Sequence, residues 1–214
     1  MREAVTGGAT RVPMERIGTV ANLITLVRTV LGVSFGLIAL AQLSMAWLVA
    51  AYLTYWAGDV ADGIVARRRG EETVIGAVFD VICDRACTTV AAAAFVALEP
   101  QVALPIALFL LQFCVVDTML TLAFLYYPGV ISPNYFYRVD RPIYRWNWSP
   151  AAKAANTSVV VLLCLLGQIW LAASWAAAMA VLKVLSLRRL HAIRSGHLAA
   201  APRPAGVRGS VILG

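Results

Sequence analysis

Four aspartates lie within or against apolar segments of this 214-residue chain, in the stretch 58–85. Asp59 and Asp62 are three residues apart, and Asp80 and Asp84 are four apart, so on helices each pair shares one face. A carboxylate at a bilayer centre costs about 2.5–3.5 kcal/mol on insertion scales, and four like charges also repel one another. An oxygen-only cluster suits a hard divalent cation such as Mg²⁺ or Mn²⁺. The pattern therefore predicts four carboxylates around one or two divalent ions, an arrangement suited to phosphoryl chemistry.

Small residues and an arginine accompany these aspartates. Gly63 and Ala66 follow Asp62 by one and four residues, and Gly76 lies on the facing helix, so together they leave a shallow groove for a flat base or a diphosphate. The planar fork of donors on Arg67 suits phosphate oxygens. Close helix packing is an alternative role for the glycines, and orientation in a membrane is one for Arg67.

The composition predicts the environment in which the aspartates lie. The chain is 61% hydrophobic and 14% charged, whereas soluble domains are roughly half apolar and about a quarter charged. We therefore expect an all-α integral membrane protein, with one membrane domain over residues 1–197 and a disordered, Pro/Gly/Ala-rich tail over 198–214. The net charge of +7 suggests orientation and contact with anionic lipid, and no nucleic-acid-binding pattern accompanies it.

Six apolar segments are long enough to be read as transmembrane helices, which need roughly 20 mostly apolar residues. The gaps after the first, third and fifth segments are very short, so these pairs are predicted to be helical hairpins. The predicted spans are Val20–Leu40, Ala46–Val65, Gly76–Leu98, Val102–Tyr127, Ala154–Trp170 and Ala172–Arg189.

The basic residues predict the orientation of these spans. Lys and Arg occur in the N-terminal arm, in the second-to-third and fourth-to-fifth connections and in the C-terminal tail, whereas the three opposite connections hold Glu99 and no Lys or Arg. By the positive-inside rule both termini are cytoplasmic. The two aspartate pairs flank a cytoplasmic connection, so we expect them to converge just inside the membrane boundary.

A known signature runs through the same residues. The stretch reads D-x2-D-G-x2-A-R-x8-G-x3-D-x3-D, with fixed positions at Asp59, Asp62, Gly63, Ala66, Arg67, Gly76, Asp80 and Asp84. On these residues and spacings the chain resembles the CDP-alcohol phosphotransferase family. Its length and six-helix layout look like the compact prokaryotic members.

The resemblance implies transfer of a substituted phosphate from a CDP-linked donor, usually CDP-diacylglycerol, to an alcohol, with release of CMP. It implies that Asp59, Asp62 and Asp80 hold two ions, Mg²⁺ or Mn²⁺, and that Asp84 borders the second ion and is the general base. It also implies homodimers, and a nucleotide and diphosphate site that is lined by Gly63, Ala66, Arg67 and Gly76.

Two further polar groups lie in apolar segments. Asn22, Thr25 and Arg28 resemble an N-x2-T-x2-R pattern of several family members, which places Asn22 and Thr25 near the nucleotide; helix capping and interhelical hydrogen bonds are the alternative. Asp117 lies deep in the fourth span, where an acid is a functional hypothesis by default. A structural ion pair is the alternative, with a partner among Arg28, Arg85 and Lys183.

The acceptor site is predicted from a second basic cluster in the fourth-to-fifth connection, which comprises Arg138, Arg141, Arg145 and Lys153. It is suited to the phosphate of an acceptor such as glycerol 3-phosphate or inositol phosphate, and Arg188 and Arg189 are an alternative site. The aromatic residues of this connection fit an interfacial belt. Two other hypotheses stay open: a different acceptor, either phosphatidylglycerol for a cardiolipin-type synthase or an unphosphorylated alcohol, and a divalent-cation carrier. The carrier is disfavoured because the aspartates gather at one end of the membrane domain.

Overall fold

The computed structural model describes residues 17–200, which are helical and contain no strand. The helices are α1 (Val20–Gln42), α2 (Met45–Arg69), α3 (Val74–Leu98), α4 (Pro100–Tyr126), α5 (Arg141–Asn147), α6 (Pro150–Leu165) and α7 (Ile169–Ala200). A π turn over Gln112–Asp117 interrupts α4, and a 3-10 turn over Pro133–Arg138 precedes α5. Residues 198–200 continue α7, while the rest of the predicted tail and the basic N-terminal arm lie outside the described residues.

Four of the described helices are long and apolar enough to cross a membrane, namely Val20–Gln42, Val74–Leu98, Pro100–Tyr126 and Ile169–Gly196. The other two predicted spans correspond to α2 and α6. Helix α2 has 25 residues but carries two aspartates and three arginines, and α6 has only 16 residues. The structure therefore confirms an all-helical membrane protein, and the count of six spans stays a prediction.

Three turns between helices contain a residue in the left-handed backbone conformation, with positive φ. Leu43 (φ 47°) separates α1 from α2, and Gly70 (φ 62°) ends α2 before the short link to α3. Gly167 (φ 70°) lies between α6 and α7, where a residue without Cβ adopts this conformation at little cost. The predicted boundary between Trp170 and Ala172 was wrong by several residues, because hydropathy does not change there whereas the backbone reverses at the glycine.

Two buried clusters hold the helices together. The first joins α3, α4, α6 and α7 through Ala92, Phe95, Ile106, Phe109, Val160, Ala172 and Ala176. The second holds the α4-to-α6 connection against α4 and α7 through Leu120, Phe124, Phe136, Ile143, Trp148 and Leu190. The large apolar side chains of α1 are mostly exposed, as expected for a surface that faces lipid.

The α4-to-α6 connection contains a short helix that the sequence analysis did not predict. Asp140 accepts a hydrogen bond from the Ile143 N–H at 2.8 Å, and Pro142 stands in the first turn of α5. Aspartate at the N-cap and proline in the first turn are ordinary helix-start signals. This helix and the preceding 3-10 turn bring the basic connection back towards α2, α3 and α7.

Candidate functional site

Three helix ends meet at one end of the bundle. Helix α2 runs past both of its aspartates to Arg69, Gly70 reverses the chain, and Thr73 caps α3 by accepting the Gly76 N–H at 3.0 Å. The start of α1 lies at the same end, because Glu71 accepts the Val20 N–H at 3.0 Å. The aspartates of α2 and α3 are therefore held on facing helices that are anchored close to their ends.

Three of the four aspartates that the spacing groups together form a carboxylate cluster. Asp59, Asp62 and Asp80 each offer one carboxylate oxygen, and these three oxygens lie within 4.8 Å of one another. Asp62 is buried, whereas the side chains of Asp59 and Asp80 are 43% and 39% exposed. Three oxygen ligands that converge at a partly open position fit a hard divalent cation. Asp84 lies one helical turn along α3 from Asp80, with a 22% exposed side chain.

Arg28 of α1 lies at the centre of this cluster. Its Nε donates to Asp62 at 2.8 Å, and its Nη2 lies 2.5 Å from Asp80, 3.0 Å from Asp84 and 3.6 Å from Asp59. The sequence analysis considered Arg28 only within its helix pattern and as a partner of Asp117. An isolated arginine in an apolar helix was the available signal, because a buried cation requires a counter-charge.

A cavity of about 90 Å³ opens beside the carboxylates Asp62 and Asp80. All six residues that were predicted to bind the CDP-linked donor line this cavity. They are Asn22, Thr25, Gly63, Ala66, Arg67 and Gly76. The structure therefore brings together residues from α1, α2 and α3 that are far apart in the sequence.

The contacts of these residues differ in kind. The Thr25 hydroxyl donates to Asp62 at 2.7 Å, so Thr25 orients a carboxylate. The Asn22 amide donates to the Ile17 carbonyl at 2.8 Å, and its Oδ1 would lie 2.9 Å from a Cβ at position 76. Only glycine at position 76 allows that approach. Thr19 caps α1 by accepting the Asn22 backbone N–H at 3.1 Å, so the Asn22 side chain is not the cap and has a place in the cavity.

Two glutamates of the α2-to-α3 link, which the sequence analysis did not single out, also line the cavity. Glu71 accepts Arg69 Nε at 2.7 Å and the Ala21 N–H at 3.4 Å. The hydrogen bond from Arg69, helped by the backbone N–H groups of α1, holds the pKa of Glu71 below its ordinary value. Glu72 accepts the Tyr135 hydroxyl at 2.7 Å, and this bond raises the pKa of Tyr135. The link thus fastens both α1 and the 3-10 turn to the mouth of the cavity.

The four residues of the predicted acceptor cluster occupy different places. Lys153 Nζ donates to Asn134 at 3.1 Å, and Asn134 lines the cavity beside the aspartates. Arg141 and Arg145 instead line a separate cavity with Pro142 and Trp146. The Arg138 guanidinium lies 5.0 Å from the Tyr135 ring centre.

Two basic residues of α7, at the end of the predicted sixth span, were the alternative acceptor site. Arg188 is exposed, and Arg189 pairs with Asp140 at 2.9 Å. A residue that already holds the start of α5 in place is less available to a substrate.

Asp117 pairs with two of the three basic residues that were considered. Its carboxylate lies 2.6 Å from Arg85 Nη2 and 2.6 Å from Lys183 Nζ. Arg85 also donates to Thr118 at 2.9 Å. This buried network joins α3, α4 and α7 and contacts none of the four clustered aspartates.

Comparison with known proteins identifies the family to which the chain belongs. The family model described as CDP-alcohol phosphatidyltransferase matches residues 18–185, which is most of the chain and includes every candidate site residue from Asn22 to Lys153. No curated protein and no solved structure gives a significant match. The resemblance found in the signature is thus confirmed by a match that extends far beyond the signature.

Proposed function

Because the chain belongs to the CDP-alcohol phosphatidyltransferase family, we propose that it transfers a phosphatidyl group from CDP-diacylglycerol to an alcohol and releases CMP. The observation that carries this proposal is the position of the carboxylate cluster. Asp59, Asp62 and Asp80 converge at the edge of the one cavity that all six predicted donor-binding residues line.

The cavity walls suggest how the donor is held. Arg67 folds over Gly63, with its Nη1 3.2 Å from where a Cβ would stand. Because Arg67 is exposed on its outer side, its guanidinium can turn to meet phosphate oxygens in a bidentate manner. Gly63, Ala66 and Gly76 present backbone and small side chains, which leave room for the cytidine and the diphosphate.

The reaction requires one proton acceptor from the chain. We assign this role to Asp84, which takes the proton of the acceptor hydroxyl as its oxygen attacks the phosphorus atom that bears the diacylglycerol group. A new P–O bond to the acceptor forms, the P–O bond to CMP breaks, and CMP leaves with the electron pair. Arg67 would offset the negative charge that the leaving phosphate carries.

Asp59, Asp62, Asp80 and Asp84 would hold the divalent ions, two Mg²⁺ or Mn²⁺ in this proposal. When bound, such ions neutralise the diphosphate and stabilise CMP as the leaving group. The chain itself supplies orientation, since Thr25 and Arg28 fix the carboxylate of Asp62 from behind.

We propose an acceptor that bears a phosphate, such as glycerol 3-phosphate or inositol phosphate. The position of Lys153 supports this choice, because its ammonium group lies beside the aspartate cavity through Asn134. Phosphatidylglycerol as acceptor, for a cardiolipin-type product, is the alternative within the family. A divalent-cation carrier is less well supported, because the aspartates lie at one end of the helices instead of along a path.

The proposed setting is a cell membrane that the chain, as a single domain over residues 1–197, crosses six times, with both termini and the site on the cytoplasmic side. The basic residues at this end of the described helices support that orientation. A cytoplasmic nucleotide and membrane-embedded acyl chains then meet at the site without crossing the bilayer. We also propose a homodimer, as the family resemblance implies.

The experiment that tests the function is product formation by the purified protein. It would be incubated in mixed micelles with CDP-diacylglycerol and a panel of alcohols, and CMP and the lipid product would be identified. We expect CMP release that depends on one acceptor, stops in EDTA and returns with Mg²⁺ or Mn²⁺. Full turnover in chelator would contradict the metal assignment, and no CMP release with any alcohol would contradict the transferase.

A further inference from the structure

Arg28 is a buried arginine whose guanidinium contacts all four aspartates of the cluster, and the proposed transfer reaction gives it no chemical role. Its guanidinium reaches one oxygen of each of four carboxylates, and its side chain is only 2% exposed. Three of those carboxylates, on Asp59, Asp80 and Asp84, are 43%, 39% and 22% exposed. Arg28 and Asp62 therefore lie on the buried side of the cluster, and the other three carboxylates are partly exposed.

The side chain of Arg28 packs closely against α2 at a position that is occupied by a glycine. A Cβ added at Gly58 would lie 2.4 Å from Arg28 Cβ and 2.6 Å from its Cδ, so the arginine passes α2 only because position 58 is glycine. The Tyr55 ring lies 5.3 Å from the guanidinium carbon. Nη1 is buried without a hydrogen-bond partner among the described residues. A large cation that is placed so tightly and left incompletely hydrogen-bonded is held there mainly by the charge of the carboxylates.

We infer that Arg28 is the internal counter-cation of the acidic cluster. It balances and orders the four carboxylates when no divalent ion is bound, and it weakens their affinity for such an ion. The inference rests on the proposed metal site, and it makes Arg28 a positioning residue, because Arg28 acts through the carboxylates.

The geometry allows Arg28 and an ion to share the cluster. Each carboxylate offers Arg28 one oxygen, and Oδ2 of Asp62 also accepts the Thr25 hydroxyl. The second oxygen of each carboxylate accepts no hydrogen bond among the described residues, so it remains available to an ion. A guanidinium at this distance repels an incoming cation through a medium that screens charge less well than water does. The ion is then held less tightly, and the cluster stays ordered after the ion leaves.

The test compares the full-length protein with Arg28→Gln in detergent, with EDTA or with Mn²⁺. In EDTA we expect the variant to unfold at least about 6 °C below wild type, because the carboxylates lose their buried partner. Mn²⁺ should recover most of this loss. In a titration followed by electron paramagnetic resonance, the variant should bind Mn²⁺ about tenfold or more tightly than wild type does. Arg28→Lys keeps the charge and should behave nearly as wild type in both measurements.

A glycine pair gives a second test in which the arginine is kept. The added methyl group in Gly58→Ala displaces the Arg28 side chain from its packing position against α2. The melting temperature of this variant should therefore fall in EDTA and recover with Mn²⁺. Gly32→Ala is the matched control on α1, because its added Cβ would come no closer than 3.5 Å to any neighbour. Its melting temperature should show the wild-type response to Mn²⁺. This pair decides the question if Arg28→Gln cannot be isolated.

Two results would overturn the inference. One is loss of Mn²⁺ binding in Arg28→Gln, which would show that Arg28 organises the ligands and does not compete with the ion. The other is a drop in melting temperature that is equal with and without Mn²⁺, which would show a purely structural role. Absence of Mn²⁺ binding by wild type would instead contradict the proposed metal site. The melting temperatures of Arg28→Gln and Arg28→Lys in EDTA would still test whether a positive charge at this position stabilises the four carboxylates.

Discussion

At the scale of single residues, the four aspartates have different proposed roles, and Asp→Asn substitutions can distinguish these roles. Asp84→Asn should lower kcat by about 10²–10⁴-fold, the usual contribution of a general base, while donor binding survives. Asp59→Asn and Asp62→Asn should lose donor binding as well, because they remove ligands of the ions that hold the diphosphate. Calorimetric titration with CDP-diacylglycerol and initial rates of CMP release measure the two quantities.

The opposite pattern would reverse these assignments. If Asp84→Asn bound no donor while Asp59→Asn bound it normally, Asp84 would be a ligand of the diphosphate-bound ion and the base would lie elsewhere. Thr118→Ser serves as a control, because Thr118 of α4 accepts a hydrogen bond from Arg85, donates one to the Phe113 carbonyl and bonds none of the clustered carboxylates.

The cluster of aspartates could be predicted because its information is local. Spacings of three and four residues place carboxylates on one helix face, and a short link brings the two faces together. The position of Arg28 could not be predicted in this way. Asp117 is an equally plausible partner in the sequence, and only the packing of α1 against α2 and α3 brings the guanidinium to the four aspartates.

At the scale of elements, the α4-to-α6 connection divides the predicted acceptor cluster into separable parts. Lys153 lies beside the aspartate cavity, and Arg141 lines another one. A charge-assisted contact contributes about 1.5–3 kcal/mol. Lys153→Gln should therefore raise the acceptor KM roughly 10- to 150-fold and leave the donor KM nearly unchanged. Arg141→Gln, measured in the same assay, should have the smaller effect.

Unchanged acceptor KM in both variants would place the acceptor site elsewhere, with Arg188 of α7 the next basic candidate. A larger effect for Arg141→Gln than for Lys153→Gln would move the acceptor phosphate to the cavity of Arg141 and Arg145. Either result would leave the family assignment intact.

The α2-to-α3 link gives a prediction that depends on pH. The folded-state pKa of Glu71 lies below its ordinary value, so the ionised carboxylate stabilises the fold. This stabilisation is complete above the unfolded-state pKa of about 4.3 and is lost as the pH falls through the lower folded-state pKa. Glu71→Gln should therefore melt below wild type near pH 7, and the two melting temperatures should converge in stronger acid. A constant difference across this range would show that the charge of Glu71 does not matter.

Elements were predictable where the polarity of the sequence changes, and not elsewhere. The charged residues around Arg67 marked the end of α2, but the apolar run from Leu171 to Ala180 concealed the start of α7, which the backbone of Gly167 determines. Helix α5 was missed because an aromatic and basic segment was interpreted as an interfacial belt and an acceptor-binding cluster, and not as a helix. Its Asp140 cap was a visible signal.

At the scale of the whole molecule, the all-helical membrane fold is confirmed for the described residues, while the six spans and the cytoplasmic termini stay predictions. A helix satisfies its own backbone hydrogen bonds, which lipid cannot do. What hydropathy does not reveal is how the helices are joined through polar side chains. The Gln112 amide donates to Asn156 at 3.1 Å, and the Asn147 amide donates to Ser186 at 2.9 Å. The π turn of α4 contains both Gln112 and Asp117 and places both side chains in the interior. A π turn changes the helical register, so a strict period of 3.6 residues could not have predicted this.

The ion network of Asp117 leads to a prediction about the stability of the whole bundle. Asp117, Arg85 and Lys183 have side chains that are 8%, 16% and 3% exposed, and they join α3, α4 and α7. Asp117→Asn would leave two buried cations without their carboxylate, which costs about 3–5 kcal/mol, or about 6–20 °C in melting temperature for a chain of this size. Lys183→Met is the matched control, because it leaves Asp117 paired with Arg85 and removes a buried charge. Lys183→Met should lower the melting temperature much less.

Thermal unfolding in detergent, with EDTA and with Mn²⁺, measures both variants. The loss of melting temperature in Asp117→Asn should be the same in the two conditions, because this network touches none of the clustered aspartates. Equal losses for the two variants would show that packing, and not charge, holds these three helices together.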